Sequence, residues 1–189
     1  CDNGQPILCE PMTRVRAKGL LYNGNPRMFI GNKPVYHYSM VSSHAEYTVI
    51  PEQGAVSVRK DFPLDRAALL GCAVMTGYGG AVYAGRIRPE SSVAVVGCGA
   101  VGLSAIQGAR LSGATTIIAI DINSDKLKIA ADMGATHTLN SVNTEPSSFV
   151  KDLTDGRGVD CSIEAAGQNI SIKHTRFERA YIRNSSSLI

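Results

Sequence analysis

An α/β fold built on a doubly wound parallel sheet is predicted, and three observations predict it. Short, uninterrupted apolar runs stand at Val93-Ala94-Val95-Val96 and Ile117-Ile118-Ala119-Ile120, and Val159 to Ala165 reads as a further strand. Segments of helical period lie between them. Glycines stand at the junctions. A strand covered on both faces reads as continuous apolar sequence, and strands of this kind that alternate with helices imply parallel pairing and right-handed crossovers.

The first part of the chain, to about Lys60, reads as short strands and loops. Turn chemistry is dense at Asn23-Gly24-Asn25-Pro26, Gly31-Asn32-Lys33-Pro34 and Pro51-Glu52-Gln53-Gly54. Between these turns, Ala45-Glu46-Tyr47-Thr48-Val49-Ile50 alternates as a half-buried strand would. After Pro63, Asp65 to Leu70 is expected to form a short helix and Thr76 to Gly85 a second, rich in small residues.

From Pro89 the pattern is strictly β-α-β-α-β. The Val93 run is the first strand. Ala100 to Leu111 follows with Val101, Leu103, Ile106 and Leu111 on an apolar side, and Gly113 is placed to cap its C-terminus. The Ile117 run is the second strand. Ser124 to Met133 is a helix that Asn123 or Ser124 can cap and Gly134 ends. His137 to Asn140 is a short third strand, Phe149 to Leu153 a brief helix, and Val159 to Ala165 the fourth strand. From Ser171 to Ile189 the periodicity is lost among Lys173, Arg176, Arg179 and Arg183, and no further buried strand is expected.

Composition sets the frame for function. The 189 residues are 44% hydrophobic and 19% charged, with a formal net charge of +3, which suits one sizeable globular domain or one and part of another. So small a charge gives no reason to expect nucleic acid or an anionic membrane as a partner. No apolar run reads as long enough to span a bilayer, and no signal-peptide pattern opens the chain. The chain opens on Cys1 rather than Met, as expected of an internal portion of a longer protein. The five cysteines, Cys1, Cys9, Cys72, Cys98 and Cys161, are an odd number widely spread. They suit reduced thiols in a cytoplasmic compartment better than a disulfide framework.

The chemistry concentrates at Gly97-Cys98-Gly99-Ala100-Val101-Gly102, a G-x-G-x-x-G motif. By itself the motif is weak. Here it follows a buried strand directly, opens a helix, and is followed by a strand that ends in Asp121, nineteen residues after Gly102. That combination is the dinucleotide fingerprint. Gly97 permits the tight turn, Gly99 lets a pyrophosphate approach the backbone, and Gly102 lets the helix pack closely. Ala100 and Val101 complete the helix N-terminus, whose N–H groups and dipole favour phosphate. Asp121 can accept both hydroxyls of the adenosine ribose and repels a 2′-phosphate, so NAD is expected over NADP. Lys126 has two readings, a second ribose contact or a solvated surface lysine.

With these residues in hand, the chain resembles the zinc-containing medium-chain alcohol dehydrogenases, in the style of the class III-like branch, from Cys1 to about Gly167. The likeness is carried by Leu70-Gly71-Cys72-Ala73-Val74-Met75-Thr76-Gly77-Tyr78-Gly79, by Ala45-Glu46-Tyr47-Thr48-Val49, by Asp121-Ile122-Asn123 with Lys126, by Gly134-Ala135-Thr136 and by Asp160-Cys161-Ser162-Ile163-Glu164. The resemblance implies a β-rich GroES-like catalytic domain, of which residues 1–72 are the C-terminal part. Residues 73–170 would then be an incomplete Rossmann domain that binds NAD, and 171–189 a divergent tail. A frameshift or premature stop near residue 175 would explain that tail.

The resemblance also implies zinc and NAD as cofactors and hydride transfer from a small alcohol to NAD. Oligomers of the parent protein are implied too. Cys72 would match one catalytic-zinc ligand; read without the family, it is a small residue in an apolar turn. Cys1 and Cys9 would be two of the four structural-zinc ligands. Thr76 would lie near the nicotinamide, with a helix N-cap as its plain alternative. Cys98, Cys161, His37, His44, His137 and His174 receive no chemistry. No catalytic residue is assigned, because the remaining zinc ligands and the proton relay have no counterpart here, so the chain alone is expected not to turn over alcohol. Two alternatives stand: a zinc-free quinone reductase-like protein and a non-catalytic NAD-binding module.

Overall fold

The computed structural model describes residues 10–38, 41–50, 52–167 and 181–183. The chain divides into two compact units, Cys1–Lys60 and Asp61–Ile189.

In the first unit a helix, α1 (Glu10–Ala17), precedes a two-stranded antiparallel hairpin of β1 (Met28–Ile30) and β2 (Lys33–Val35). The hairpin turns through Gly31 at φ +58°, a left-handed conformation that costs glycine little. The helix was not legible among the dense turn signals. The strand expected over Ala45 to Ile50 is corrected: the segment is irregular, and Tyr47 and Val49 are 91% and 80% exposed. Alternation makes a strand only where a neighbouring strand takes its hydrogen bonds, and no strand pairs with this segment among the described residues.

The second unit carries the predicted sheet. β3 (Ser92–Val96), β4 (Thr116–Asp121), β5 (His137–Asn140) and β6 (Cys161–Glu164) are all parallel. Helix α4 (Ala100–Leu111) joins β3 to β4, α5 (Ser124–Asp132) joins β4 to β5, and α6 (Pro146–Leu153) precedes β6. A fifth strand, β7 (Tyr181–Arg183), pairs in parallel with β6, giving the order β5-β4-β3-β6-β7. A paired strand thus lies in the stretch after residue 171, where the sequence shows no strand period. Three residues among charged neighbours are too few for a period to show.

Both faces of the sheet are buried, which explains the continuous apolar runs. Val93, Val95, Ile117, Ala119, Cys161 and Ile163 face Ala105, Ile106 and Ala109 of α4 together with Leu127 and Ala130 of α5. Alternate residues Ala94, Val96, Ile118, Ile120 and Leu139 pack with Val150 of α6 and Val159. The helix ends follow the sequence. Gly113 and Gly134 adopt φ +85° and +119°. At each, the glycine N–H and the next N–H close back on the last helical turn, as Gly113 to Arg110 and Ala114 to Ala109, and as Gly134 to Ala131 and Ala135 to Ala130. Asn123, rather than Ser124, caps α5 by accepting from Asp125 and Lys126 N–H.

The two helices expected between residues 65 and 85 are one continuous helical segment, Leu64–Ala84. It runs through α2 (Leu64–Leu69), a π-helical stretch Leu70–Val74, α3 (Met75–Gly79) and a second π-helical stretch Gly80–Ala84. Gly79 and Gly80, inside the expected second helix, hold ordinary right-handed geometry. Glycine is used here for closeness. A Cβ on Gly77 would meet the Val101 carbonyl oxygen at 2.1 Å and Ser104 Cβ at 2.7 Å, so α3 lies directly on α4. By length and composition this segment is also long and apolar enough to cross a membrane. That corrects the reading that no apolar run was long enough, a reading made by cutting the segment in two.

Candidate functional site

The strand order puts a crevice where ligands bind in sheets of this kind. From β3 the chain crosses by α4 toward β4, whereas β6 lies on the other side of β3, so the connections part between β3 and β6 at their carboxyl ends. The G-x-G-x-x-G turn leaves β3 at this point. Gly97 has φ +95°, and a Cβ there would stand 2.5 Å from Ala166 N and 2.7 Å from Ala165 C. Two constraints therefore demand glycine: a left-handed backbone and contact with the chain leaving β6. Gly102 is more crowded still, since its Cβ would lie 1.8 Å from the Gly97 carbonyl oxygen.

Gly99 is the opposite case. It stands at the N-cap of α4 with φ −80° and ψ −172°, supplies no capping side chain, and a Cβ built on it meets nothing within 4 Å. Neither backbone nor packing explains a glycine here; open space in front of a helix N-terminus does, where the dipole and first-turn N–H groups favour an anion. Ala100 is exposed and Val101 half-buried at that first turn.

Asp121 closes the crevice at the end of β4. It is half-buried, and both carboxylate oxygens are held by backbone: Oδ2 accepts from Cys98 N–H at 2.7 Å and Oδ1 from Asn123 N–H at 2.9 Å. Each oxygen keeps a further acceptor site. The glycine loop and the acid are thus one hydrogen-bonded unit, with the carboxylate fixed rather than swinging. Lys126 is exposed, and its charge reaches this cluster: it acts on the Cys98 thiol, which burial first and the Asp121 charge second push up from 9.0 to about 12. A thiol so protonated is a poor nucleophile. Brief iodoacetamide treatment of the native chain at pH 8, mapped by mass spectrometry, is therefore expected to modify the exposed Cys72 and spare the buried Cys98. Equal modification of the two would show the loop to be open.

Two residues without an assigned role build this site. Glu164, fully buried at the end of β6, accepts N–H bonds from Ala166 at 2.9 Å and Gly167 at 2.8 Å, shaping the chain that touches Gly97. Asn140, at the end of β5, bonds to the turn that follows Asp121. An acid closing an apolar strand was the visible signal for Glu164; Asn140 has none.

The other predicted positions are not brought into this cluster. Thr76 is exposed on α3. Its N-cap alternative is corrected, because Val74 before it is already helical. Cys72 is exposed in the π-helical stretch. A zinc ion needs four donors, commonly three from protein and one from water, and no group of three or more His, Cys, Asp or Glu that could hold a metal occurs among the described residues. The described donor set does not fit zinc. Cys1, Cys9 and His174 lie outside the described residues.

The strand order, glycine turn and acid define a Rossmann-like parallel α/β unit. Comparison with known proteins adds the family. Residues 100–175 match the model of a family described as zinc-binding dehydrogenase. A curated relative named "Probable S-(hydroxymethyl)glutathione dehydrogenase 1", from Schizosaccharomyces pombe, is 39% identical over 173 residues, 91% of this chain and 45% of its own length. Among solved structures, an alcohol dehydrogenase zinc-binding domain protein from Burkholderia ambifaria has a TM-score of 0.83 at 34% identity over 93% of this chain and 48% of its own. A benzyl alcohol dehydrogenase from Acinetobacter calcoaceticus has a TM-score of 0.80 at 32% identity over 97% of this chain and 51% of its own. The chain is thus similar to zinc-binding dehydrogenases and to alcohol dehydrogenases. It spans about half the length of these relatives.

Proposed function

We propose that this chain supplies the coenzyme-binding part, residues 73–170, of an oxidoreductase that moves hydride between a small alcohol and NAD. One observation carries the reading: the backbone-clamped Asp121 carboxylate stands beside a glycine loop whose Gly99 opens on empty space. In this reading the pyrophosphate lies over Gly99, Ala100 and Val101, the adenosine ribose hydroxyls bond to Asp121, and Lys126 flanks the ribose. Thr76 lies toward the nicotinamide. Zinc would supply the polarisation of the alcohol in the whole enzyme, with Cys72 as one ligand. The described donors do not complete that site.

The relatives' names support an alcohol as the substrate class, with an aldehyde as the product of its oxidation. The partners of this reading are small molecules and further copies of the parent enzyme, with neither nucleic acid nor membrane. The thiols of Cys72 and Cys98 support a cytoplasmic setting. The same incomplete donor set favours the second reading, a nucleotide-binding module that does no chemistry by itself.

Calorimetric titration of the purified chain with NAD, with zinc measured on the same sample and ethanol and benzyl alcohol offered as substrates, tests both. NAD binding with little zinc and no NADH formation is the expected result. No NAD binding would sink the coenzyme reading, and zinc-dependent NADH formation would overturn the module reading.

A further inference from the structure

Asn140 ends β5, in register with Asp121 at the end of β4. Its side-chain amide makes three bonds. Nδ2 donates to the Ile122 carbonyl at 3.2 Å and to Ser124 Oγ at 2.9 Å, and Oδ1 accepts from Val142 N–H at 3.0 Å. The orientation is forced by its partners: a carbonyl can only accept and an N–H can only donate, so a flipped amide would lose both.

The carbonyl that Asn140 holds belongs to the same peptide group as the Asn123 N–H. That N–H is the donor to Asp121 Oδ1 at 2.9 Å. The peptide is planar and nearly rigid. A bond at its oxygen therefore fixes the direction of its N–H, and accepting at the oxygen also polarises the N–H and strengthens the bond it gives. Asn140, Ile122–Asn123 and Asp121 form a relay running from one strand to the acid of the next.

We propose that Asn140 is a positioning residue for recognition of the adenosine ribose: it aims the Asp121 carboxylate through the Ile122–Asn123 peptide and so sets the preference for a free 2′-hydroxyl. The inference rests on the coenzyme reading above. Other contacts keep the turn folded without it. Asn123 caps α5, Ser141 N–H donates to the Asp121 carbonyl at 3.1 Å, and Cys98 N–H still holds Oδ2. Loss of Asn140 leaves the acid present but free to rotate about its remaining contact.

The test uses the full chain, Asn140→Ala and Asn140→Asp, and two probes: NAD, and NAD whose adenosine ribose lacks the 2′-hydroxyl. Asparagine to aspartate keeps the shape and the Val142 bond but removes both donations, so it reports the relay even where the alanine variant folds poorly. Loss of one positioned hydrogen bond corresponds to an affinity drop of about three- to tenfold. That drop is expected for both variants with NAD, and less than about twofold with the deoxy analogue. Equal losses with the two probes would mean a merely structural asparagine, and no loss with either would mean no role; both overturn the inference. Failure of the unsubstituted chain to bind NAD brings down the coenzyme reading itself, a result that the variants cannot mimic.

Discussion

Gly102→Ala is expected to abolish nucleotide binding and to destabilise the second unit by about 3 kcal/mol or more, whereas Gly99→Ala is expected to abolish binding and cost almost no stability. The two glycines are three residues apart, and the difference lies in what their missing Cβ atoms would touch. At Gly102 the methyl would sit 1.8 Å from the Gly97 carbonyl oxygen and 3.4 Å from Val95 Cγ1. The first is a backbone atom of a turn whose own geometry is fixed by Gly97 at φ +95° and by the Gly97 N–H bond to the Ile120 carbonyl at 2.8 Å. Neither side can yield without lifting α4 from β3, and α4 carries Ala105, Ile106 and Ala109 into the core. At Gly99 the methyl meets nothing within 4 Å, and φ −80° suits alanine. What it fills is the space in front of the helix N-terminus. Thermal unfolding and NAD titration of the two variants give the check. A Gly99→Ala chain that binds NAD normally would show that no phosphate approaches this turn, and a stable Gly102→Ala chain would show that the loop packs otherwise than described.

The same contrast explains what could be read from the sequence. The strands were legible because the sheet is covered on both faces, so Val93 to Val96 and Ile117 to Ile120 are apolar at every position. The ends of α4 and α5 were legible because a left-handed residue is needed at 113 and 134 and glycine stands there. In those cases the local chain carries the whole reason. Where the reason lies across space, the sequence is silent or misleading. Gly77 looks like one small residue among several in its helix and is in fact the close-packing point of α3 on α4. The alternation of residues 45–50 looks like a strand, but a strand exists only with a partner. Asn140 looks like an ordinary turn residue after a short strand; its value comes from facing Asp121 in the β4–β5 register, which no local pattern records. Cys72 drew its meaning from a resemblance, and the described residues hold no group of three donors that could bind a metal around it.

Asp121→Ala should reduce NAD affinity by about a hundredfold or more and leave NADP affinity unchanged or improved, reversing the preference between the two. Each ribose hydroxyl bonded to a fixed carboxylate is a charge-assisted hydrogen bond, worth about 1.5–3 kcal/mol, and two are lost. The carboxylate also repels a 2′-phosphate, and that repulsion goes with it. The geometry sharpens the expectation. Because Cys98 N–H and Asn123 N–H already hold one lone pair on each oxygen, the side chain pays little further ordering cost when a ribose arrives. Alanine also strands those two N–H groups, so a stability loss of about 1–2 kcal/mol accompanies the change. Asp121→Asn separates the effects. It keeps the shape, but its amide can accept at one oxygen only, so one backbone N–H is met by an N–H. It loses the charge and part of the clamp, and its NAD affinity should fall between those of the parent and alanine. Parallel titrations with NAD and NADP decide the matter. Equal loss of both nucleotides in the alanine variant would make Asp121 a loop clamp only, and tighter binding of NADP than NAD by the unsubstituted chain would refute the ribose role outright.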